Sequence, residues 1–171
     1  MNAEDLRTLQ APLKNRYRAE PGAARITLRA QGSLDASSIA CKVETGRALA
    51  IAGLHPASGG NGLELCSGDM LLEALVACAG VTLKAVATAL GLTLRSGEVS
   101  AEGDLDFRGT LGVDKQAPVG FSDIRLKFAL DTDATPDELD TLLKLTERYC
   151  VVLQTINRSP AIEASIVRAA A

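Results

Sequence analysis

Four cysteines, Cys41, Cys66, Cys78 and Cys150, are the residues of this 171-residue chain best suited to covalent chemistry. A thiolate is a strong nucleophile, and two neighbouring thiols can cycle between dithiol and disulfide. The cysteines are spaced by 25, 12 and 72 residues, so none forms the close pair of a zinc or thioredoxin-type motif. Any partnership between thiols must come from the fold. A predicted helix covers most of the interval between Cys66 and Cys78, and at ~1.5 Å per residue its twelve residues hold their Cα atoms roughly 18 Å apart. A disulfide needs less than about 7 Å, which disfavours that pair. Cys41 falls in a predicted strand and reads as a structural thiol. Cys66 sits beside a helix start whose positive end lowers a thiol pKa, which makes it a minor candidate nucleophile.

Cys78 and Cys150 stand out because each lies on the apolar face of a long predicted helix. Those two faces are each other's natural partners, and packing them brings the two thiols together. A buried thiol is by default a small hydrophobe. A reactive one needs a group that favours the thiolate, together with access for a substrate. Glu147 and Arg148 closely precede Cys150, and Glu147 at i−3 can share its helix face. The single histidine, His55, excludes a multi-histidine metal site. It sits in a Gly/Ser-rich loop and reads as solvated.

The composition is globular, with 47% apolar and 23% charged residues. One domain of this length buries roughly two thirds of its unfolded surface without a metal or disulfide staple. The net charge is −3 and no basic block is present, which argues against nucleic acid as a partner. Aromatic residues make up 3% and tryptophan is absent, which disfavours base-stacking platforms. The first residues carry neither a basic n-region nor an apolar h-region, so a cytoplasmic setting with reduced thiols is expected. The longest apolar stretch, residues 70–94, contains Glu73 and Lys84 and reads as a buried helix of a soluble protein, with no membrane partner.

The elements that must position the thiols follow from periodicity. Leu6, Leu9, Leu13 and Tyr17 have helical spacing, interrupted by Pro12, and predict a helical arm within residues 1–24. Residues 25–30 and 39–44 alternate and read as a hairpin around a turn at 32–38. A short strand over 48–52 follows. A helix then starts with Ser67 as N-cap and runs to Leu90. It is apolar around most of its circumference, so protein is expected to cover most sides. Two longer strands follow at 92–106 and 121–131. Thr135-Pro136-Asp137-Glu138 carries the signature of a capping box with proline at the first helical position. The helix it starts continues through Cys150 to Asn157, and residues 161–167 alternate as a last strand. The order is β-β-β-α-β-β-α-β, an α+β domain with a mainly antiparallel sheet and two long helices.

The segment from Cys66 to Leu83, CSGDMLLEALVACAGVTL, resembles the central-helix signature of the OsmC/Ohr family, the osmotically inducible and organic hydroperoxide resistance proteins. The Gly-rich loop Gly59-Gly60-Asn61-Gly62 precedes it, as in that family. Glu147-Arg148-Tyr149-Cys150-Val151-Val152 falls where the family has its second cysteine. The resemblance implies an OsmC-like domain over residues 25–171 and an intertwined homodimer with thiol sites at the subunit interface. It also implies a peroxidase without metal or organic cofactor. Cys78 would be the thiolate that attacks a small organic hydroperoxide and becomes a sulfenic acid. Cys150 would condense with it to a disulfide, and an external dithiol would reduce that bond.

The family holds its thiolate with an arginine near the first hairpin. The matching turn here has none, and Arg29 and Arg47 are the nearest substitutes. The family's orienting glutamate falls on Asp69, with Glu73 or Glu64 as a fallback, and Val151 replaces a proline that often follows the second cysteine. Two further functions fit the same residues. One is a non-catalytic dimeric stress-response module that holds a small apolar ligand. The other is a thiol redox sensor.

Overall fold

The computed structural model describes residues 2–19, 31–34, 40–44 and 49–168. Helix α1 (Ala3–Ala19) opens on a reciprocal cap, in which the Asp5 N–H donates to Asn2 Oδ1 at 2.8 Å and the Asn2 N–H donates to Asp5 Oδ2 at 3.0 Å. Pro12 lies inside α1 and does not interrupt it, and α1 rests against the central helix. Strands β1 (Gln31–Leu34), β2 (Ala40–Glu44), β3 (Leu49–Gly53) and β4 (Leu65–Cys66) form one sheet in that order. The first three are antiparallel, and β4 joins β3 in parallel through two residues. Residues 32–34, read as turn from sequence, belong to β1, where Leu34 pairs with Cys41. The strand expected over residues 25–30 lies outside the described residues.

Helix α2 (Ser67–Leu90) follows β4 directly, with Cys66 at the N-cap and Ser67 already helical, one residue earlier than the expected start. Gly91 ends it at φ 75°, a left-handed conformation that favours glycine, and its N–H closes on the Ala87 and Thr88 carbonyls. Strand β5 (Ser96–Leu105), the one-turn helix α3 (Phe107–Thr110) and β6 (Phe121–Asp131) form an antiparallel ribbon with Val99 opposite Phe128. Its inner residues, Val99, Ala101, Ile124, Leu126 and Phe128, lie on α2. Its outer face carries ion pairs such as Arg125 with Asp104 and Glu102. The alternation that marked these strands is therefore the division between core and solvent.

The predicted capping box opens α4 (Pro136–Tyr149). The Glu138 N–H donates to Thr135 Oγ1 and the Thr135 N–H returns to Glu138 Oε2 at 2.8 Å. The single helix expected through Asn157 is two, because the chain breaks at Cys150 (φ −73°, ψ 106°) before α5 (Val151–Asn157). The final strand is also corrected. Residues 161–167 form neither helix nor strand, and Ile162 and Val167 are more than four fifths exposed. Alternation makes a segment competent for a sheet, but a strand also needs an edge to pair with.

The core is a stripe between α2 and the second half of the chain. Leu75, Ala79 and Cys150 form one buried cluster, and Leu83, Ala87 and Leu142 form the next along α2. Phe128 packs against both. Leu142→Ala is expected to destabilise the protein by about 2–5 kcal/mol, because it removes a side chain 1% exposed. Thermal unfolding followed by circular dichroism checks this.

Within one chain the stripe covers only part of α2. Only 22% of its most apolar window, of mean hydropathy 1.8, is buried within the chain. Leu71 and Val81 face outward, Val81 at 74% exposure. By length and composition α2 is also long and apolar enough to cross a membrane.

Candidate active site

Cys78 lies halfway along α2, one residue before the fully buried Ala79. Its side chain is half-buried, whereas Cys150 is fully buried between α2 and the ribbon. The break at Cys150 is what joins them. A continuous helix would commit the N–H groups of Val151, Val152 and Leu153 to carbonyls one turn back. As the first three residues of α5, these groups have no such obligation. Those of Val151 and Val152 act on the Cys78 thiol and lower its pKa, and those of Leu153 and Val152 do the same at Cys150. The Cys150 thiol and the Thr82 hydroxyl, one turn along α2, complete the donors to Cys78.

The two thiols are displaced in opposite directions. For Cys78, burial pushes the pKa up, but the Val152 N–H, the Cys150 thiol, the Val151 N–H and the Thr82 hydroxyl outweigh it, and the thiol is held below its usual range. For Cys150, burial raises the pKa, the Leu153 N–H lowers it, and the neighbouring Cys78 sulfur raises it again through both their hydrogen bond and its charge. The net displacement of Cys150 is upward. Of the two thiols, Cys78 is therefore the one that gives up its proton more readily. Among the described residues no cationic side chain takes part, and the thiolate is held by backbone and hydroxyl dipoles.

Thr82→Val removes one of those donors without changing the shape of the side chain. A net hydrogen bond of about 1 kcal/mol corresponds to roughly a fivefold slower attack at neutral pH. The pH at which the first-turnover rate reaches half its plateau is expected to move upward, because less thiolate is present at a given pH. Stopped-flow kinetics with an organic hydroperoxide checks both.

The other sequence candidates lie elsewhere. Asp69 and Glu73 are exposed on the first turns of α2. Asp69 is nine residues before Cys78, about 13 Å along the axis, and Glu73 is turned to another side of the helix. Glu147 is exposed while Cys150 is buried, so the two do not share a face, although the Glu147 carbonyl accepts from Gln154 Nε2 at 2.8 Å. Arg29 and Arg47 lie outside the described residues, as does the side chain of Cys41.

Cys66 borders an open cleft of about 420 Å³ lined mainly by Leu54, Leu71, Leu105, Phe107, Val119 and Phe121. His55, expected to be solvated, is half-buried there. Its ring stacks on Phe107 at 5.0 Å and its Nδ1 accepts the Ala57 N–H at 3.0 Å. No group of metal-binding side chains is assembled among the described residues.

Sequence reasoning missed the donors from Val151 and Val152. The only local signal for them is the run of two β-branched valines after Cys150, which weakens a helix slightly. Thr82, four residues after Cys78 and so on the same side of α2, carries the hydroxyl that favours the Cys78 thiolate.

A family profile described as OsmC-like protein matches residues 59–165, a span that holds both cysteines and the break between α4 and α5. Solved structures share the fold. An OsmC-like protein from Mycoplasma pneumoniae superposes with a TM-score of 0.64 at 16% identity, covering 78% of this chain and 89% of that one. An organic hydroperoxide resistance protein OsmC from Legionella pneumophila gives 0.61 at 16% identity, covering 79% and 92%. The organic hydroperoxide resistance protein OhrB of Bacillus subtilis gives 0.54 at 15% identity, covering 77% and 93%. A comparison with curated protein sequences finds no match.

Proposed function

Because the chain belongs to the OsmC-like family, whose fold it has, we propose that it is a thiol peroxidase that reduces organic hydroperoxides through Cys78 and Cys150. The observation that carries this reading is that Cys78 packs against the cluster of Leu75, Ala79 and Cys150 at the break between α4 and α5, with the two thiols displaced in opposite directions. The Cys78 thiolate attacks one peroxide oxygen, a sulfur–oxygen bond forms, and the O–O bond breaks. The departing alkoxide takes a proton and leaves as the alcohol. Cys78 is then a sulfenic acid, and the Cys150 thiol displaces its hydroxyl as water to form the disulfide. An external dithiol returns both residues to the reduced state at the cost of its own oxidation. The names of the Legionella and Bacillus structures, organic hydroperoxide resistance proteins, point the same way.

In this reading two chains associate through the outer side of α2. Exposed Leu71 and Val81 on an apolar helix support it, since a surface of that kind is stabilised by burial against a second copy. Static light scattering is expected to give twice the chain mass, and Val81→Glu is expected to lower it. A cytoplasmic setting would keep the two thiols reduced between turnovers.

The test of function is turnover. Purified protein with a dithiol should consume cumene hydroperoxide stoichiometrically with dithiol oxidised, many times per chain. One equivalent consumed and no more would instead indicate a redox sensor. A second reading, a module that holds a small apolar ligand, is favoured by the apolar cleft beside Phe107 and Phe121. Thermal stabilisation by fatty acids without peroxide consumption would support it.

A further inference from the structure

We propose that the groove between Arg148 and Arg158 docks the carboxylates of an anionic thiol, the reductant of the Cys78–Cys150 disulfide. This rests on the reading of those two residues as a thiol–disulfide couple. The groove, of about 450 Å³, is lined by Arg148, Tyr149, Val151, Gln154 and Arg158, with Thr155 and Pro160 at its margin. It lies on the outer side of the break between α4 and α5. Val151 joins it to the chemistry, because its N–H acts on the Cys78 thiol while its side chain, 69% exposed, forms part of the groove. Tyr149 and Val151, which line the groove, flank Cys150 in the chain.

The charge of the groove is unusual for this chain. The net charge is −3, and Arg95, Arg108 and Arg125 are each paired with aspartates. Arg148 and Arg158 have no carboxylate partner among the described residues, and no carboxylate lines the groove. Arg148 is held over the Tyr149 ring at 5.6 Å, which limits its freedom before any ligand arrives. Two guanidiniums at one apolar groove suit a ligand with carboxylates and a short hydrocarbon body.

Cys150 is fully buried, so the incoming thiolate attacks Cys78, the half-buried sulfur. The S–S bond breaks, Cys150 leaves as a thiolate and takes up a proton, and a mixed disulfide remains on Cys78. A thiolate of a second reductant molecule then attacks the reductant's sulfur in the mixed disulfide, which displaces Cys78 as thiolate and leaves the two reductant molecules joined by a disulfide.

The test compares two vicinal dithiols that differ in charge, 2,3-dimercaptosuccinate and neutral 2,3-dimercaptopropanol, on protein oxidised beforehand with diamide. Per unit of reactive thiolate, dimercaptosuccinate is expected to reduce the protein roughly fivefold faster, with the advantage shrinking at high salt. Arg148→Glu combined with Arg158→Glu should abolish that advantage and leave the dimercaptopropanol rate unchanged. The milder Arg148→Gln, Arg158→Gln variant gives the same comparison if charge reversal impairs folding. Equal rates for the two dithiols, or equal losses in the variant, overturn the docking role. If diamide forms the disulfide but hydroperoxide does not, the peroxidase reading fails while the docking comparison still decides the groove. If neither oxidant forms it, both readings fall.

Discussion

Cys78→Ser is expected to lower peroxide consumption by at least about 10³-fold, while the protein keeps its fold and its thermal stability nearly unchanged. A serine hydroxyl is not ionised at neutral pH, so the Val151 and Val152 N–H groups that favour a thiolate have no anion to hold. Cys66 remains in this variant, and its side chain makes no cap bond at the start of α2. Peroxide loss measured by a ferrous-xylenol orange assay is the readout. The wild-type profile carries a second expectation. The reactive form is deprotonated and the Cys78 pKa lies below its usual range, so the first-turnover rate rises with pH and levels off earlier than for a free thiol. A profile that reaches half its plateau at the value of an unperturbed thiol would remove the physical basis for choosing Cys78.

Removing Cys150 separates attack from resolution. Cys150→Ser is expected to retain a fast first turnover, because the hydroxyl can still donate to the Cys78 sulfur. Later turnovers are expected to fall by about 10²-fold or more, since no internal thiol condenses with the sulfenic acid. Cys150→Ala removes the donor as well, so its first turnover should be slower than that of the serine variant and its pH profile displaced upward. Both variants should accumulate a Cys78 sulfenic acid that dimedone traps and excess peroxide converts to the sulfinic acid. Equal first-turnover rates for the alanine and serine variants would mean that the Cys150 thiol does not tune Cys78. Undiminished steady-state turnover in either variant would show that it does not resolve the sulfenic acid.

Much of this arrangement is legible in the sequence because it depends on local rules. Thr135-Pro136-Asp137-Glu138 states its cap chemistry outright, and the structure forms both hydrogen bonds of the box. The alternation of Ile124, Leu126 and Phe128 on β6 marks the face that lies on α2. The apolar faces of Cys78 and Cys150 are enough to bring α2 and α4 together, and with them the two thiols.

The break at Cys150 is not legible in the same way. The Cys150 N–H still reaches the Thr146 carbonyl at 2.9 Å, and its own carbonyl still accepts from Gln154 at 2.9 Å. The apolar spacing through Leu142, Thr146, Cys150 and Leu153 continues across the break, so periodicity cannot register it. What changes is a single backbone dihedral, and that change frees the N–H groups that hold the Cys78 sulfur. Residues 161–167 fail for the opposite reason. Their alternation is local, but forming a strand is a property of the sheet edge they would join. Apolarity around α2 likewise does not tell how much of its cover comes from its own chain, where only 22% of its most apolar window is buried.

The central claim is that Cys78 and Cys150 act as one redox couple. Treating reduced protein with one equivalent of cumene hydroperoxide, followed by digestion after glutamate and mass spectrometry, tests it most directly. Cleavage at Glu73, Glu98, Glu147 and Glu163 places Cys78 in the peptide 74–98 and Cys150 in 148–163, with Cys66 and Cys41 in separate peptides. The expected result is a rapid cross-link between those two peptides, reversed by a dithiol, with Cys66 and Cys41 still free. Four free thiols with the peroxide unconsumed, or a cross-link that leaves Cys150 out, would contradict it.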